Sequence, residues 1–382
     1  MYPLPFAIQR PWLLMRDLVV NRNAPNLDRL RSIRSPERFL WAILPHAART
    51  FSACITMLPS ASAQAAAVGY VYCRILDTYE DLAPTPQQGQ KLLRDFAARF
   101  ARPEVQMEAN SPSKSSSGES GALLTAGAPQ LHGANPVDLR DQAHLLLVER
   151  CDLIDRVFLK LPAASRVAIV HLVRDMAGGM VWAKRVFDQQ NGVIQSPSQL
   201  RHYCNAVLGN PVAFAMRLMM RRELTPPERE TAMDVGELVQ LANVTRDIEK
   251  DLERGVAYHP ILQPGTPTSA DVIRQARSQI FDLAMAQAPA YTRMVESIGF
   301  RFFSLSRASA LLMLEFTDRY YRSCARRIER PVWKGPRSSI WLLMRTFPAF
   351  LSRRATLKRV RQIEANLTAA GLGSEWIGTG IR

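Results

Sequence analysis

Strict alternation of apolar and polar positions is nearly absent from this chain. Apolar residues recur instead at three- and four-residue intervals between prolines and helix-capping residues, which is helical patterning. Ser35-Pro36 puts a cap before a proline at the first helical position and opens a helix towards Pro45. A second helix is predicted over 48–58, ending at Pro59. Ser60 then caps a long Ala-rich helix that ends before Pro84, and Thr85-Pro86 starts another running to about Phe100. Helical patterns resume over 137–160, 162–187 and 198–222, the last with a kink at Gly209-Asn210-Pro211. Thr225-Pro226-Pro227-Glu228 combines a cap, prolines in the first turn and a carboxylate three residues after the cap, and starts a helix to about Leu252. Further helices are predicted over 270–297 and 300–330. The predicted fold class is all-α.

Two stretches break this pattern. Residues 103–136, rich in Ser, Gly, Ala and Pro, lack the apolar density to offset their ordering entropy and read as a disordered insertion. The stretch from Trp333 mixes Trp341, Leu342, Leu343, Met344, Phe347, Phe350 and Leu351 with Arg345, Arg353, Arg354, Lys358, Arg359 and Arg361. Such a mixture suits either an amphipathic segment on an anionic membrane or a basic helix whose apolar side packs on the domain. The resulting organisation is an N-terminal extension (1–34), one helical domain (35–330) interrupted at 103–136, and a basic amphipathic tail (331–382).

Composition narrows the partners. The chain has 382 residues, 47% of them hydrophobic and 22% charged, as in globular proteins. A net charge of +15 favours an anionic partner: a phosphorylated substrate, an acidic membrane or nucleic acid. No zinc-finger spacing, RNP-type motif or basic block with interleaved aromatics is present, so nucleic acid is set aside. Five widely spaced cysteines without a C-x-x-C pair fit reduced thiols in a cytoplasmic protein. No secretory leader and no run of about 18 apolar residues is seen, so the expected location is cytoplasmic or peripheral on a membrane.

The chemistry concentrates on two helical faces. Tyr70, Arg74, Asp77 and Asp81 follow at steps of four, three and four, which stacks them on one side of the Ala-rich helix. Gln240, Asn243, Asp247 and Asp251, spaced three, four and four, do the same in the helix that starts at Thr225, with Arg246 beside them. A single i,i+4 carboxylate pair is ordinarily a solvated face. Two such pairs, each beside an Arg and set among Ile75, Leu76, Val244 and Ile248, ask for a ligand. Carboxylate oxygens suit hard divalent cations, and Mg²⁺ completes its shell with substrate phosphates. Arg74 and Arg246 would take the phosphates themselves, so the two faces describe a diphosphate site. The six histidines show no metal-ligand spacing, and no nucleophile-elbow, P-loop or dinucleotide motif occurs.

Four segments together resemble the squalene/phytoene synthase family, the head-to-head trans-prenyltransferases. Arg49-Thr50-Phe51-Ser52 resembles its S-R-S-F motif, with Ala48 in place of the first Ser. Asp77-Thr78-Tyr79-Glu80-Asp81 is similar to its first aspartate motif in the squalene-synthase form D-T-x-E-D. Met176 to Met180, with Tyr203-Cys204 and Val207-Leu208-Gly209, resembles M-x-x-G-M and Y-C-x-x-V-A-G. The segment from Gln240 to Asp251 resembles Q-x-x-N-x-x-R-D-x-x-x-D.

The resemblance implies an isoprenoid-synthase helical bundle around a central cavity and condensation of two allylic diphosphates through a cyclopropylcarbinyl diphosphate. Carried onto matching positions, Asp77, Asp81, Asp247 and Asp251 would bind Mg²⁺, with Mn²⁺ as a substitute. Arg49, Arg74, Asn243 and Arg246 would hold diphosphate, with Gln240 lining the site. Tyr70, Tyr203 and Phe51 would sit near the reacting carbons. The D-T-x-E-D form points to two farnesyl diphosphates giving presqualene diphosphate and then squalene, with NADPH as reductant. A phytoene or dehydrosqualene synthase, which needs no NADPH, is the alternative. A non-catalytic assembly or lipid-binding member would usually have lost carboxylates that this chain keeps. Leu208 in place of Ala, Pro211 just after it, and Val256 where members often carry Arg leave chain length and product open.

Overall fold

The computed structural model describes residues 6–100, 124, 127–134, 136, 138–298 and 303–371. Among these, the chain is helices and turns, with an isolated bridge between Val193 and Ala257 and no strand, so the all-α expectation holds. The chain divides into two compact units, Met1–Val181 and Trp182–Arg382, with the boundary inside the Ala163–Gln189 helix.

In the first unit the Ser60–Leu82 helix packs against the Pro36–Ala48 and Pro86–Ala98 helices. Its buried side is Val71, Tyr72, Ile75, Leu76 and Tyr79. Tyr72 meets Phe96, Phe100 and Phe158 edge-on, with ring centroids 5.3–5.9 Å apart, the arrangement aromatic quadrupoles favour. Burying that side fixes the helix's rotation and leaves Tyr70, Arg74, Asp77 and Asp81 on the less buried side.

The chain before residue 35 belongs to this unit. The Phe6–Val19 helix buries Asp17, whose carboxylate accepts hydrogen bonds from Ser52 Oγ (2.5 Å) and Thr56 Oγ1 (3.1 Å) and pairs with Arg16. Most of the 103–136 insertion lies outside the described residues. Its far end, 127–134, is fastened to the unit, because Tyr79 Oη donates to the Pro129 carbonyl (2.7 Å) and Gln88 Nε2 to that of His132 (3.1 Å).

Several local expectations need correcting. Ser60 is the first residue of its helix, and the cap position is Pro59, which makes no side-chain cap bond. The 48–58 helix begins only at Thr50, because Arg49 takes φ 50° and breaks it from the Pro36–Ala48 helix. The 137–160 pattern is two helices, Leu139–Glu149 and Cys151–Leu159. The 270–297 pattern is Ala270–Ala286 and Ala288–Ser297, parted just before Pro289, which has no N–H to continue the ladder.

The second unit is organised on the Pro226–Glu253 helix, which opens with the expected Thr225/Glu228 capping box. The expected kink near Gly209 is a π turn, Asn205–Gly209, between the Pro197–Cys204 and Asn210–Met220 helices. It crosses the central helix at Gly236. A Cβ there would lie 2.4 Å from Gly209 Cα, so only glycine permits the crossing. Beyond residue 331 the chain forms the Ser339–Leu351 and Arg353–Ala370 helices, both packed on the Leu305–Arg327 helix. Val360, Ile363, Leu367 and Ala370 are buried there, and Arg359 pairs with the fully buried Glu315 (2.5 Å).

Candidate active site

In the first unit four of the expected residues meet. Arg74 forms an ion pair with Asp77 at 3.0 Å, donates from Nε to the Ala47 carbonyl at 2.9 Å, and approaches Tyr70 Oη at 3.4 Å. The Phe51 ring lies 5.6 Å from that of Tyr70. Arg49 is exposed at the junction of the Pro36–Ala48 and Thr50–Met57 helices, where its φ is 50°. Asp81 is exposed one turn after Asp77.

Electrostatics here are tuned by burial. Burial pushes the Asp77 carboxyl up to about 6, with Asp81 adding to the shift and Arg74 opposing it. Burial alone would weaken the Arg74 charge, but Asp77, Tyr70 and Asp81 outweigh it and hold the guanidinium above its usual value. Burial also raises the Tyr70 phenol, which therefore stays protonated at neutral pH.

The second unit assembles the other face on the Pro226–Glu253 helix. Leu241, Ala242, Val244, Thr245 and Ile248 are buried, whereas Gln240, Asn243, Asp247 and Asp251 are half-exposed. Asn243 Nδ2 donates to Gln240 Oε1 at 3.2 Å. Arg246 grips Asp247 with two bonds, Nε to Oδ1 at 2.7 Å and a second to Oδ2 at 2.5 Å. Such forked pairing matches guanidinium to carboxylate and would match phosphate equally.

Tyr203 lies just before the π turn. The Val193–Ala257 bridge brings Tyr258 to it, with 3.0 Å between the phenol oxygens and Tyr258 as donor. The Phe187 ring packs edge-on to both.

Some supporting residues had no expectation attached. The Tyr320 ring covers the Arg246 guanidinium at 4.9 Å, and Arg327 donates to the Arg246 carbonyl at 3.0 Å. Arg277 donates to the Thr245 carbonyl (2.8 Å) and pairs with Glu249 (2.6 Å), which bolts the helix behind the face. Arg319-Tyr320-Tyr321-Arg322, two aromatics between two cations, is the local sign in the sequence that rings and cations meet here.

Glu237, one turn before Gln240, is buried and faces Arg201 Nε at 2.9 Å. Burial pushes its carboxyl up to about 7, against Arg201 and with Asp234, itself paired to Arg293, adding to the shift. The folded chain therefore keeps a proton that the unfolded chain releases near the usual 4.5, and stability falls as pH rises from about 4.5 to about 7. Glu237→Gln is expected to flatten this slope, which for one proton is on the order of 1 kcal/mol per pH unit. Urea melts at several pH values check this; equal slopes in parent and variant would exclude Glu237 as the source.

The donor set can be compared with what each class of metal asks of its ligands. Among the described residues no three His, Cys, Asp or Glu side chains converge into a closed centre. Each face offers two carboxylates, at least partly exposed. That suits an ion keeping waters and phosphate oxygens in its shell, Mg²⁺ or Mn²⁺, and not a four-ligand zinc site.

Comparison with known proteins gives the family and the fold. The family model described as squalene/phytoene synthase matches residues 44–337. Squalene synthase of Schizosaccharomyces pombe is 23% identical over 229 residues, 58% of this chain and 44% of that protein, so the match spans under half the length of this curated relative. The fold is similar to that of TcSQS in complex with the ligand BPH1237, with TM-score 0.62 and 16% identity over 89% of this chain and 93% of that one. The complex of TcSQS with E5700 gives TM-score 0.56 and 15% identity over 88% and 98%. With the family model covering most of its length and both acidic faces within the matched span, the chain belongs to the squalene/phytoene synthase family.

Proposed function

We propose that this chain is a prenyltransferase that joins two farnesyl diphosphates head to head into presqualene diphosphate and then reduces it to squalene with NADPH. The observation that carries the reading is the Tyr70–Asp81 face, two carboxylates and an Arg held out of the core of an otherwise buried helix. The D-T-x-E-D form of its motif favours squalene over phytoene. Asp77 and Asp81, and Asp247 and Asp251, would hold Mg²⁺, which when bound anchors the diphosphate and stabilises the departing pyrophosphate.

The chain's own groups do the rest. Arg74 and Arg246 exchange their Asp partners for phosphate oxygens, with Arg49 and Asn243 adding donors to the leaving group. The allylic C–O bond breaks, and its electron pair leaves with pyrophosphate. The Phe51, Tyr70 and Tyr203 rings offer π faces to the carbocation, each gaining roughly 0.5–2 kcal/mol. The double bond of the second substrate attacks, and loss of a proton closes the cyclopropane. That proton leaves with the released pyrophosphate, and the Tyr70 phenol, protonated at neutral pH, can pass it on by giving up its own proton as it accepts.

Incubation of the purified chain with farnesyl or geranylgeranyl diphosphate, Mg²⁺, and either NADPH or none tests this. Squalene from the C15 substrate only when NADPH is present is the expected result. A C40 product, or a C30 product indifferent to NADPH, would instead assign a phytoene or dehydrosqualene synthase. Absence of turnover under every condition would leave a non-catalytic lipid-binding member.

A further inference from the structure

The two sequence-level readings of the tail separate once the helices are placed. The Arg353–Ala370 helix is structural: its apolar residues are buried, and Arg330 donates to the Ala370 carbonyl at 2.9 Å. The Ser339–Leu351 helix differs. It buries only Leu342, Thr346 and Ala349, while Ile340, Trp341, Met344, Phe347 and Leu351 stay exposed, Trp341 at 64% and Phe347 at 61%. At 100° per residue those five fall within about 120° of arc, opposite the buried side. Beside them Phe303, also exposed, stacks on Phe350 at 5.6 Å and widens the patch.

Charge indicates what covers this face. From Pro331 to Ile363 the chain carries Lys334, Arg337, Arg345, Arg353, Arg354, Lys358, Arg359 and Arg361 and no acidic residue. Arg345, Arg354 and Lys358 are exposed, on the patch-bearing helix and on the one that follows. A second copy would bring the same positive charge against itself. A peptide groove would need walls, and this face is a convex helix surface. Large apolar side chains with Trp among them, accompanied by exposed cations on the same helix and the next, match the boundary between acyl chains and anionic headgroups. Among the described residues no helix is long and apolar enough to cross a membrane, so the contact is with the surface.

We infer that the exposed face of the Ser339–Leu351 helix docks the chain onto anionic lipid bilayers, Trp341 and Phe347 entering the interface and Arg345, Arg354 and Lys358 meeting the headgroups. Because the following helix is part of the core, truncation of the tail would unfold the second unit, and surface substitutions are the usable probe.

The test is flotation of the full chain with vesicles of phosphatidylcholine alone or with phosphatidylserine added. Binding is expected only with the anionic lipid and should weaken with salt. Trp341→Ser with Phe347→Ser should lower partitioning on the order of tenfold or more. Arg354→Gln with Lys358→Gln should lower it about fivefold per residue. Circular dichroism and Tm should stay unchanged in both variants. The first unit supplies a control, since its Phe6–Val19 helix also exposes Ile8, Trp12, Met15 and Val19. Loss of binding with Trp12→Ser but not with the Trp341/Phe347 pair would overturn the assignment. So would undiminished binding in both Ser339–Leu351 variants, or a parent dimer that the Trp341/Phe347 pair converts to monomer without changing flotation.

Discussion

Asp81→Asn and Asp247→Asn are each expected to lower kcat on the allylic diphosphate by on the order of 10²–10³, the scale for deleting one strong electrostatic stabiliser. Asparagine keeps the shape and removes the charge, so the loss reads charge alone. Asp81 is exposed, and its replacement should leave Tm within error. Asp77 sharpens the test. Its carboxyl is already pushed up to about 6 by burial, so the fold disfavours the charge it carries at neutral pH. Asp77→Asn should therefore cost activity while holding or raising Tm, the signature of a residue kept for what it binds. The readouts are steady-state rates at saturating Mg²⁺ and thermal melts of the same preparations. Turnover near the parent's after either Asp81→Asn or Asp247→Asn would remove that residue from the chemistry. Activity and Tm falling together in all three variants would mark the faces as structural.

Both faces were legible in the sequence because their residues lie within single helices. Steps of three and four in an uninterrupted helix fix one side whatever the tertiary context, and the Thr225 capping box fixes where the second helix begins. What could not be read there depends on contacts between segments. Arg49's left-handed φ has no local cause such as glycine, and it parts two helices that periodicity would place only roughly. The π turn at Asn205–Gly209 ends at the Gly209–Gly236 crossing, which pairs two glycines far apart in sequence. Tyr320 reaches Arg246 from 74 positions away, and although its own neighbourhood pairs aromatics with cations, nothing there names the partner. The tail could not be divided into a packed helix and an exposed one from composition, since both are basic and amphipathic. Only the burial of Val360, Ile363 and Leu367, against the exposure of Trp341 and Phe347, separates them.

The orientation of the first face depends on a buried charge on the opposite side of its helix, and there the largest stability effect is expected. Tyr72, two residues after Tyr70 and about 200° around the helix, donates to Asp155 Oδ1 at 2.7 Å. The other carboxylate oxygen takes a close bond from Arg99, which also donates to Cys151 Sγ at 3.5 Å and lies over the Phe96 and Phe100 rings. Arg99 is 8% exposed and Asp155 equally buried. Arg99→Met would leave a carboxylate in an aromatic core with only a phenol and a thiol for company. The expected cost is about 3–5 kcal/mol, the range for breaking one side of a buried pair. Arg99→Met with Asp155→Leu should recover most of it, because two apolar groups ask for no desolvation. Burial raises the Asp155 carboxyl and Arg99 holds it down, so removing Arg99 lifts it further. A folded state that holds its proton more tightly than the unfolded state gains stability as pH falls, so the penalty in Arg99→Met should shrink towards acid. Urea midpoints of the full chain at neutral and acidic pH measure all three effects. A single variant as stable as the parent, or a double variant no better than the single, would show that the Asp155 charge does not anchor the helix. If it does, Arg99→Met with Asp155→Leu, which takes away the acceptor of the Tyr72 hydroxyl, should also lose the proposed prenyltransferase activity below its melting temperature, because the helix is then free to turn the Asp77 and Asp81 face away from its present position.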